Sequence, residues 1–222
     1  MATRKFPVLR GFLFDLDGTL IDSKIDLANS VNYMLREMKR EALPLETVAS
    51  YIGHGAPRLV AGAMGKGASE ADRKLGLEIF LAHYEKNSLA ATRVYPGVTE
   101  GLQALRGTPM AVLSNKPEKM SLDILEGLGL RKFFRGVYGG DSFQKKKPDP
   151  MGARAILQEL RVQPEQAAMV GDSDVDIETA RNAGTMAIGV TYGFGQHDRS
   201  AKPADLYIDS VQEIAALARE IS

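Results

Sequence analysis

Short runs of apolar, β-branched and aromatic residues recur along the chain at 8–16, 110–114, 136–139, 168–171, 186–190 and 206–208. They read as buried strands. From position 110 onward they alternate with stretches of helical period. Met120, Ile124, Leu125 and Leu128 fall on one stripe of 117–128, and Ala153, Ile156, Leu157 and Leu160 on one stripe of 150–160. Further helices are predicted at 174–183 and 211–221. Strand–helix alternation of this kind predicts an α/β fold, with a parallel sheet covered by helices on both faces.

The first two strands break that rhythm. Nearly a hundred residues separate Asp15 from Ser114, whereas a strand–helix–strand unit needs only about 30. The intervening stretch is rich in helix formers and predicts helices at 26–40, 45–51, 56–64 and 69–91. It is expected to form a helical insert with a small core of its own, returning through the turn signal Tyr95-Pro96-Gly97. Two units follow: a core of 1–21 with 93–222, and an insert of 22–92.

Composition narrows the function. The chain has 222 residues, 44% of them hydrophobic, and 28 basic residues balance 28 acidic ones. That balance argues against a nucleic-acid partner, which calls for a basic excess on one face. There is no cysteine, which excludes disulfides, a thiol nucleophile and thiolate-bound zinc. His54, His83 and His197 are too few and too scattered for a histidine metal site. The apolar run near the start lacks the length and cleavage site of a signal peptide. No run approaches the roughly 18 apolar residues of a membrane span, so no membrane partner and a cytoplasmic location are expected.

The first candidate chemistry lies in Phe12-Leu13-Phe14-Asp15-Leu16-Asp17-Gly18-Thr19-Leu20. A buried strand runs into two carboxylates at i and i+2, which in an extended chain project to the same side. Ligands of open α/β sheets bind at this carboxyl edge. Two neighbouring acids repel each other. They coexist if they hold a hard cation, or if one attacks phosphorus while the other handles the protons of leaving group and water. A polar strand end with an Asp-Gly turn is the structural alternative.

A second acidic stretch, Gly171-Asp172-Ser173-Asp174-Val175-Asp176, follows another buried run. Ser and Asp are also ordinary at helix N-termini. A calcium loop is ruled out, because Ile177 stands where glycine is needed and Ala183 where glutamate is needed. At the shared sheet edge, Asp172 is expected to face Asp15 and complete a metal site. Asp176, one helical turn on, is expected to hold a metal-bound water. A phosphate ester beside carboxylates needs its charge offset. Ser114 and Asn115 offer hydroxyl, amide and backbone N–H groups, either as a phosphoryl cradle or as a helix cap. Lys147, in Lys145-Lys146-Lys147-Pro148, offers a cation or belongs to a solvated loop. Gly62-Ala63-Met64-Gly65-Lys66-Gly67 does not make a phosphate loop, since its first glycine is misplaced and Gly67 stands where Ser or Thr belongs.

Taken in order, Asp15-Leu16-Asp17-Gly18-Thr19, Ser114-Asn115, Lys147-Pro148 and Gly171-Asp172-Ser173-Asp174-Val175-Asp176 resemble the motifs of the haloacid dehalogenase superfamily of phosphohydrolases. The resemblance spans essentially the whole chain. It implies a Rossmann-like, doubly wound parallel sheet with an inserted α-helical cap. It further implies Asp15 as nucleophile, Asp17 as general acid/base, and Ser114 and Lys147 as phosphoryl ligands, with Asn115 beside them. Mg2+ would be held by Asp15, the backbone carbonyl of Asp17, and Asp172, with Asp176 in support. Lys147 is chosen over its neighbours because the family places lysine just before proline. The dehalogenases that gave the superfamily its name lack the second aspartate and the metal, so Asp17 argues against their chemistry.

Finer cues are similar to the phosphoglycolate phosphatase family. They are Gly53-His54-Gly55-Ala56-Pro57-Arg58-Leu59-Val60, Gly139-Gly140-Asp141-Ser142 and Gly189-Val190-Thr191-Tyr192-Gly193. The implied substrate is a small phosphorylated metabolite, a two-carbon phosphate bearing a carboxylate. Backbone N–H groups at Gly53 and Gly55, with His54 or Arg58, would meet that carboxylate from the insert; Arg58 fits an ordinary exposed helix position equally well. The expected function is Mg2+-dependent hydrolysis of a phosphate monoester, led by 2-phosphoglycolate, through a phospho-aspartate. The alternatives are a phosphosugar mutase or another small-metabolite phosphatase or pyrophosphatase of the same fold, and a non-catalytic phospholigand-binding protein. Monomer and homodimer both remain open.

Overall fold

The computed structural model describes residues 8–195 and 200–218. Strand β1 (Gly11–Phe14) leads to a two-residue strand, β2 (Ile21–Asp22), and four helices follow: α1 (Lys24–Glu37), α2 (Leu45–Ala49), α3 (Ala56–Met64) and α4 (Glu70–Asn87). The chain returns through β3 (Arg93–Val94) and α5 (Val98–Ala104). It then alternates as β4 (Met110–Leu113), α6 (Glu118–Gly127), β5 (Gly136–Tyr138), α7 (Met151–Leu160), β6 (Ala167–Gly171), α8 (Asp174–Ala183) and β7 (Met186–Val190), closing with β8 (Leu206–Ile208) and α9 (Gln212–Ala218).

Six strands form one sheet in the order β5-β4-β1-β6-β7-β8, and every neighbouring pair is parallel. β1 lies at the centre, with Phe14 in register with Val112 on one side and Val170 on the other. Strand order runs outward in opposite directions from β1. The crevice at its carboxyl end is therefore a topological switch point, where such sheets take their ligands.

Alternation along the strands divides the core. Phe12, Phe14, Val112, Val170 and Ile188 pack in one cluster with Leu102 of α5, Ile124 and Leu125 of α6 and Ile214 of α9. Leu13, Ala111, Leu113, Met169 and Ala187 pack in another with Ile156 and Leu157 of α7 and Ala180 of α8. Each central strand is covered on both sides, which is why its sequence is apolar throughout. This is the doubly wound α/β fold expected.

Helices α1 to α4 bury Val31, Met34, Leu59, Val60, Phe80 and Tyr84, in a core continuous with the first sheet face. β2 and β3 pair antiparallel, Ile21 opposite Val94 and Asp22 opposite Arg93, so the chain enters and leaves these helices side by side. The buried Asp26 carboxylate clips the two ends together. It accepts the Ala91 N–H at 2.9 Å and both the N–H and hydroxyl of Thr92 at 2.8 Å. The helix expected to run to 91 stops at Asn87, and the amides of Ala91 and Thr92 turn to Asp26 instead of to helix carbonyls.

Helices expected to begin at Pro117 and Pro150 begin one residue later, with each proline as N-cap. Helix α5 lies in a stretch where none was expected. Its seven residues are too few to display a period. It packs so closely on the start of α9 that a Cβ on Gly101 would lie 2.7 Å from the Val211 carbonyl carbon. The end of the expected 211–221 helix, the first seven residues and His197 lie outside the described residues. Among the described residues no helix is long and apolar enough to cross a membrane.

Candidate active site

β1 delivers Asp15 to the sheet's rim, where its N–H donates to the Val170 carbonyl at 2.9 Å. The chain then turns sharply, with the N–H groups of Leu20 and Ile21 both donating to Leu16 O. Gly18 takes φ +84° in this turn, and a Cβ there would lie 1.9 Å from Asp172 Oδ2, so no other residue fits. Asp172 follows β6. Its Oδ2 accepts the N–H groups of Phe194 at 3.0 Å and Gly195 at 2.6 Å. Asp176 lies in the first turn of α8, where its Oδ2 accepts the N–H and hydroxyl of Ser173 in a capping box. Asp15, Asp172 and Asp176 are all buried, and each presents a carboxylate oxygen within 4.8 Å of the others.

Lys147 reaches the same pocket. Its Nζ donates to Asp176 Oδ1 at 2.6 Å and lies 2.8 Å from Asp15 Oδ1. The second contact is an ion pair without hydrogen-bond alignment, and Asp15 Oδ1 has no hydrogen-bond partner. Three carboxylates against one ammonium leave two negative charges unbalanced. Burial, and then the Asp176 carboxylate, push the Asp15 pKa up to about 6. Burial followed by Asp176 and Asp15 raises that of Asp172 well above the usual range. For Lys147, burial opposes the charge, but Asp15 and Asp176 outweigh it and raise the pKa. An all-oxygen, buried, over-acidic pocket is the donor set of a hard divalent cation, whose charge would reverse the strain on these acids.

Asp17 stands apart from that trio. Its Oδ1 accepts the Ser23 hydroxyl at 2.5 Å and Lys116 Nζ at 2.7 Å, while Oδ2 takes no hydrogen bond from the described residues. Ser114, at the end of β4, donates its N–H to Tyr138 O at 3.0 Å. The Asn115 amide donates to Gly53 O and Lys147 O at 3.1 Å each, tying the insert's loop to the lysine loop; its Oδ1 is buried without a donor.

A cavity of about 40 Å³ lies between the insert and this rim. Asp15, Asp17, Ser114, Asn115 and Lys116 supply its polar wall, and Leu59 and Phe80 are part of the apolar one. Gly53 and Gly55 border it at φ +105° and +87°. A Cβ on Gly55 would lie 3.0 Å from Asn115 O, so the missing side chain lets the insert's loop sit against β4's end. His54 and Arg58 are exposed and are not among the lining residues. The His54 pKa is lowered by partial burial and by the nearby cations of Arg58 and Lys146.

The structure thus gathers Asp15, Asp172, Asp176 and Lys147 in one cluster. Asp17, Ser114, Asn115, Gly53 and Gly55 stand around the adjoining cavity, and His54 and Arg58 lie outside its lining. Sequence reasoning missed Lys116, Tyr84 and Ser23. Lys116 directly follows the Ser114-Asn115 pair, the one signal available for it. Nothing in the pattern of α4 marks Tyr84 as different from a core residue.

Residues 12–190 match the family of haloacid dehalogenase-like hydrolases, and the chain belongs to that family. A phosphoglycolate phosphatase of Nitrosospira multiformis is 39% identical to it over 98% of this chain and 99% of its own length. One of Chromobacterium violaceum is 39% identical over 95% and 97%. The crystal structure of a predicted phosphoglycolate phosphatase from Haemophilus somnus matches with a TM-score of 0.89 at 31% identity, covering 96% of this chain and 99% of that one. Within its family, the chain is a phosphatase.

Proposed function

We propose that this phosphatase hydrolyses 2-phosphoglycolate to glycolate and inorganic phosphate through a phospho-aspartate on Asp15, with Mg2+ as cofactor. The observation that carries this reading is the division between two acids two residues apart. Asp15 sits in the cation-fitting pocket beside Lys147, whereas Asp17 lies outside it, held through one oxygen only.

In the first step a carboxylate oxygen of Asp15 attacks phosphorus and the ester P–O bond breaks. Asp17 gives its proton to the departing alkoxide, releasing glycolate. In the second, water attacks the phospho-aspartate and passes a proton to Asp17 as the Asp15–phosphorus bond breaks. Lys147 offsets the charge of nucleophile and phosphoryl group, and the Ser114 hydroxyl donates to a phosphoryl oxygen. Mg2+ would be held by Asp15, Asp172 and the backbone carbonyl of Asp17, with Asp176 behind them, and supplies charge that offsets the phosphate. Residues 22–92 act as the cap over the core of 1–21 and 93–222, excluding water. The loop at Gly53 and Gly55 borders the substrate's carboxylate end, with His54 and Arg58 at its outer side. The likeness to phosphoglycolate phosphatases favours a two-carbon leaving group over a sugar. The proposed location is the cytoplasm.

Phosphate release from 2-phosphoglycolate, pyrophosphate and hexose phosphates, with and without Mg2+, tests this reading. The expected result is Mg2+-dependent release, fastest from 2-phosphoglycolate, and none from Asp15→Asn. Near-full activity in Asp15→Asn would overturn the covalent scheme, and an isomerised sugar phosphate without phosphate release would overturn hydrolysis.

A further inference from the structure

We infer that Lys116 is a positioning residue that fixes the Asp17 carboxylate for proton transfer, and that Tyr84 of the helical insert fixes Lys116. The inference deepens the proposed function and rests on the acid role given there to Asp17.

A lysine is almost never fully buried unless its charge is paired. Lys116 keeps 5% of its side chain exposed, and both of its side-chain partners are accounted for. Nζ donates to Asp17 Oδ1 at 2.7 Å and to the Tyr84 hydroxyl at 2.7 Å. It also lies 4.7 Å from the centre of the Tyr84 ring, within reach of a cation–π attraction. Tyr84 is itself rigid: it is 1% exposed and stacks on Phe80 at 5.7 Å. The chain Tyr84–Lys116–Asp17 therefore runs from α4 across the cavity wall to the proposed acid.

The geometry at Asp17 gives this chain its purpose. Ser23, at the entry to the insert, and Lys116 both bond Oδ1. Two donors on one oxygen fix the plane of the carboxylate and leave Oδ2 as the oxygen able to carry the proton. A free carboxylate would rotate, and misplacement by even about 1 Å costs on the order of a hundredfold in rate. All three members line the cavity, so the insert's position is transmitted to the acid through two side chains.

Two substrates that differ in their need for a proton test this. The alkoxide of 2-phosphoglycolate must be protonated as it leaves; the acetate of acetyl phosphate leaves without help. The readout is the ratio of kcat/KM on the first to kcat/KM on the second, which ends at loss of the leaving group and so excludes the later water step that both substrates share, measured with Mg2+ for the unaltered enzyme and each variant. Asp17→Asn is expected to lower this ratio by about a hundredfold or more. Lys116→Met should lower it by about tenfold or more, Tyr84→Phe by a few-fold, and Lys116→Arg should recover most of the loss by restoring a cation. Equal loss on both substrates in Lys116→Met, with the ratio unchanged, would overturn the inference and leave Lys116 a structural cation. An unchanged ratio in Asp17→Asn would instead overturn the acid role beneath it. If Lys116→Met fails to fold by circular dichroism, Tyr84→Phe decides, and an unchanged ratio there overturns the inference.

Discussion

Lys147 sits between two carboxylates with 2% of its side chain exposed, so its charge is part of the fold as well as of the site. Removing one partner of a buried ionic cluster strands the others. Lys147→Met is expected to abolish turnover and to cost about 3–5 kcal/mol in urea unfolding of the metal-free protein. Asp15 and Asp172 act in the opposite direction. Their pKa values are raised in the folded, metal-free protein, that of Asp15 to about 6 from an ordinary 3.8. Between those values the folded state holds protons that the unfolded chain has released, so stability falls as pH rises through that window. Mg2+, if held by these acids as proposed, would relieve the repulsion that appears on deprotonation. It should therefore raise the melting temperature more at about pH 7.5 than at about pH 5; a shift equal at both would contradict the assignment. Gly18→Ala combines an unfavourable positive φ, worth about 1–2 kcal/mol, with a clash against Asp172. Calorimetric titration should show Mg2+ binding weakened severalfold or more in a protein that still melts cooperatively.

Among the elements, the clip at Asp26 joins the start of α1 to the segment after α4. Asp26→Ala leaves the Thr92 N–H and hydroxyl without their acceptor, at a cost of about 1–3 kcal/mol. Hydrogen exchange should accelerate around 88–94 while the six-stranded sheet stays protected. The same scale shows what sequence reveals. The strands at 186–190 and 206–208 and the helices at 56–64 and 174–183 match the structure residue for residue, because apolar runs and helical stripes there end at clear breakers. β2 and β3, two residues each, carry no period to read. The acids were legible because each of Asp15 and Asp172 directly follows a buried strand. Lys116 was not, because its burial is decided by partners far away in sequence, Tyr84 and Asp17. Arg58 and His54 show the converse: charge and a glycine-flanked position do not determine which side chains face a cavity.

For the molecule as a whole, the sheet's switch point sets the acids at one rim, and the helical insert stands over that rim with Tyr84, Gly53 and Gly55 at the cavity. If residues 22–92 close over bound phosphate, Mg2+ with vanadate should slow amide exchange in α4 and around 51–56, with little change in α7. Unaltered exchange in α4 would count against a closing cap.

The pairing of β2 with β3 has a consequence for how such an enzyme can diversify. Both ends of the insert leave the core on adjacent rungs, one strand spacing or about 4.8 Å apart, and none of the six core strands runs through it. A tight hairpin spliced between Asp22 and Arg93 would span the same gap. The pruned protein should still capture its ion yet admit bulk solvent and much larger esters to Asp15. The ion pocket would then be separable from the insert while Asp17 would not, since the splice takes away Ser23 and, with Tyr84, the anchor of Lys116.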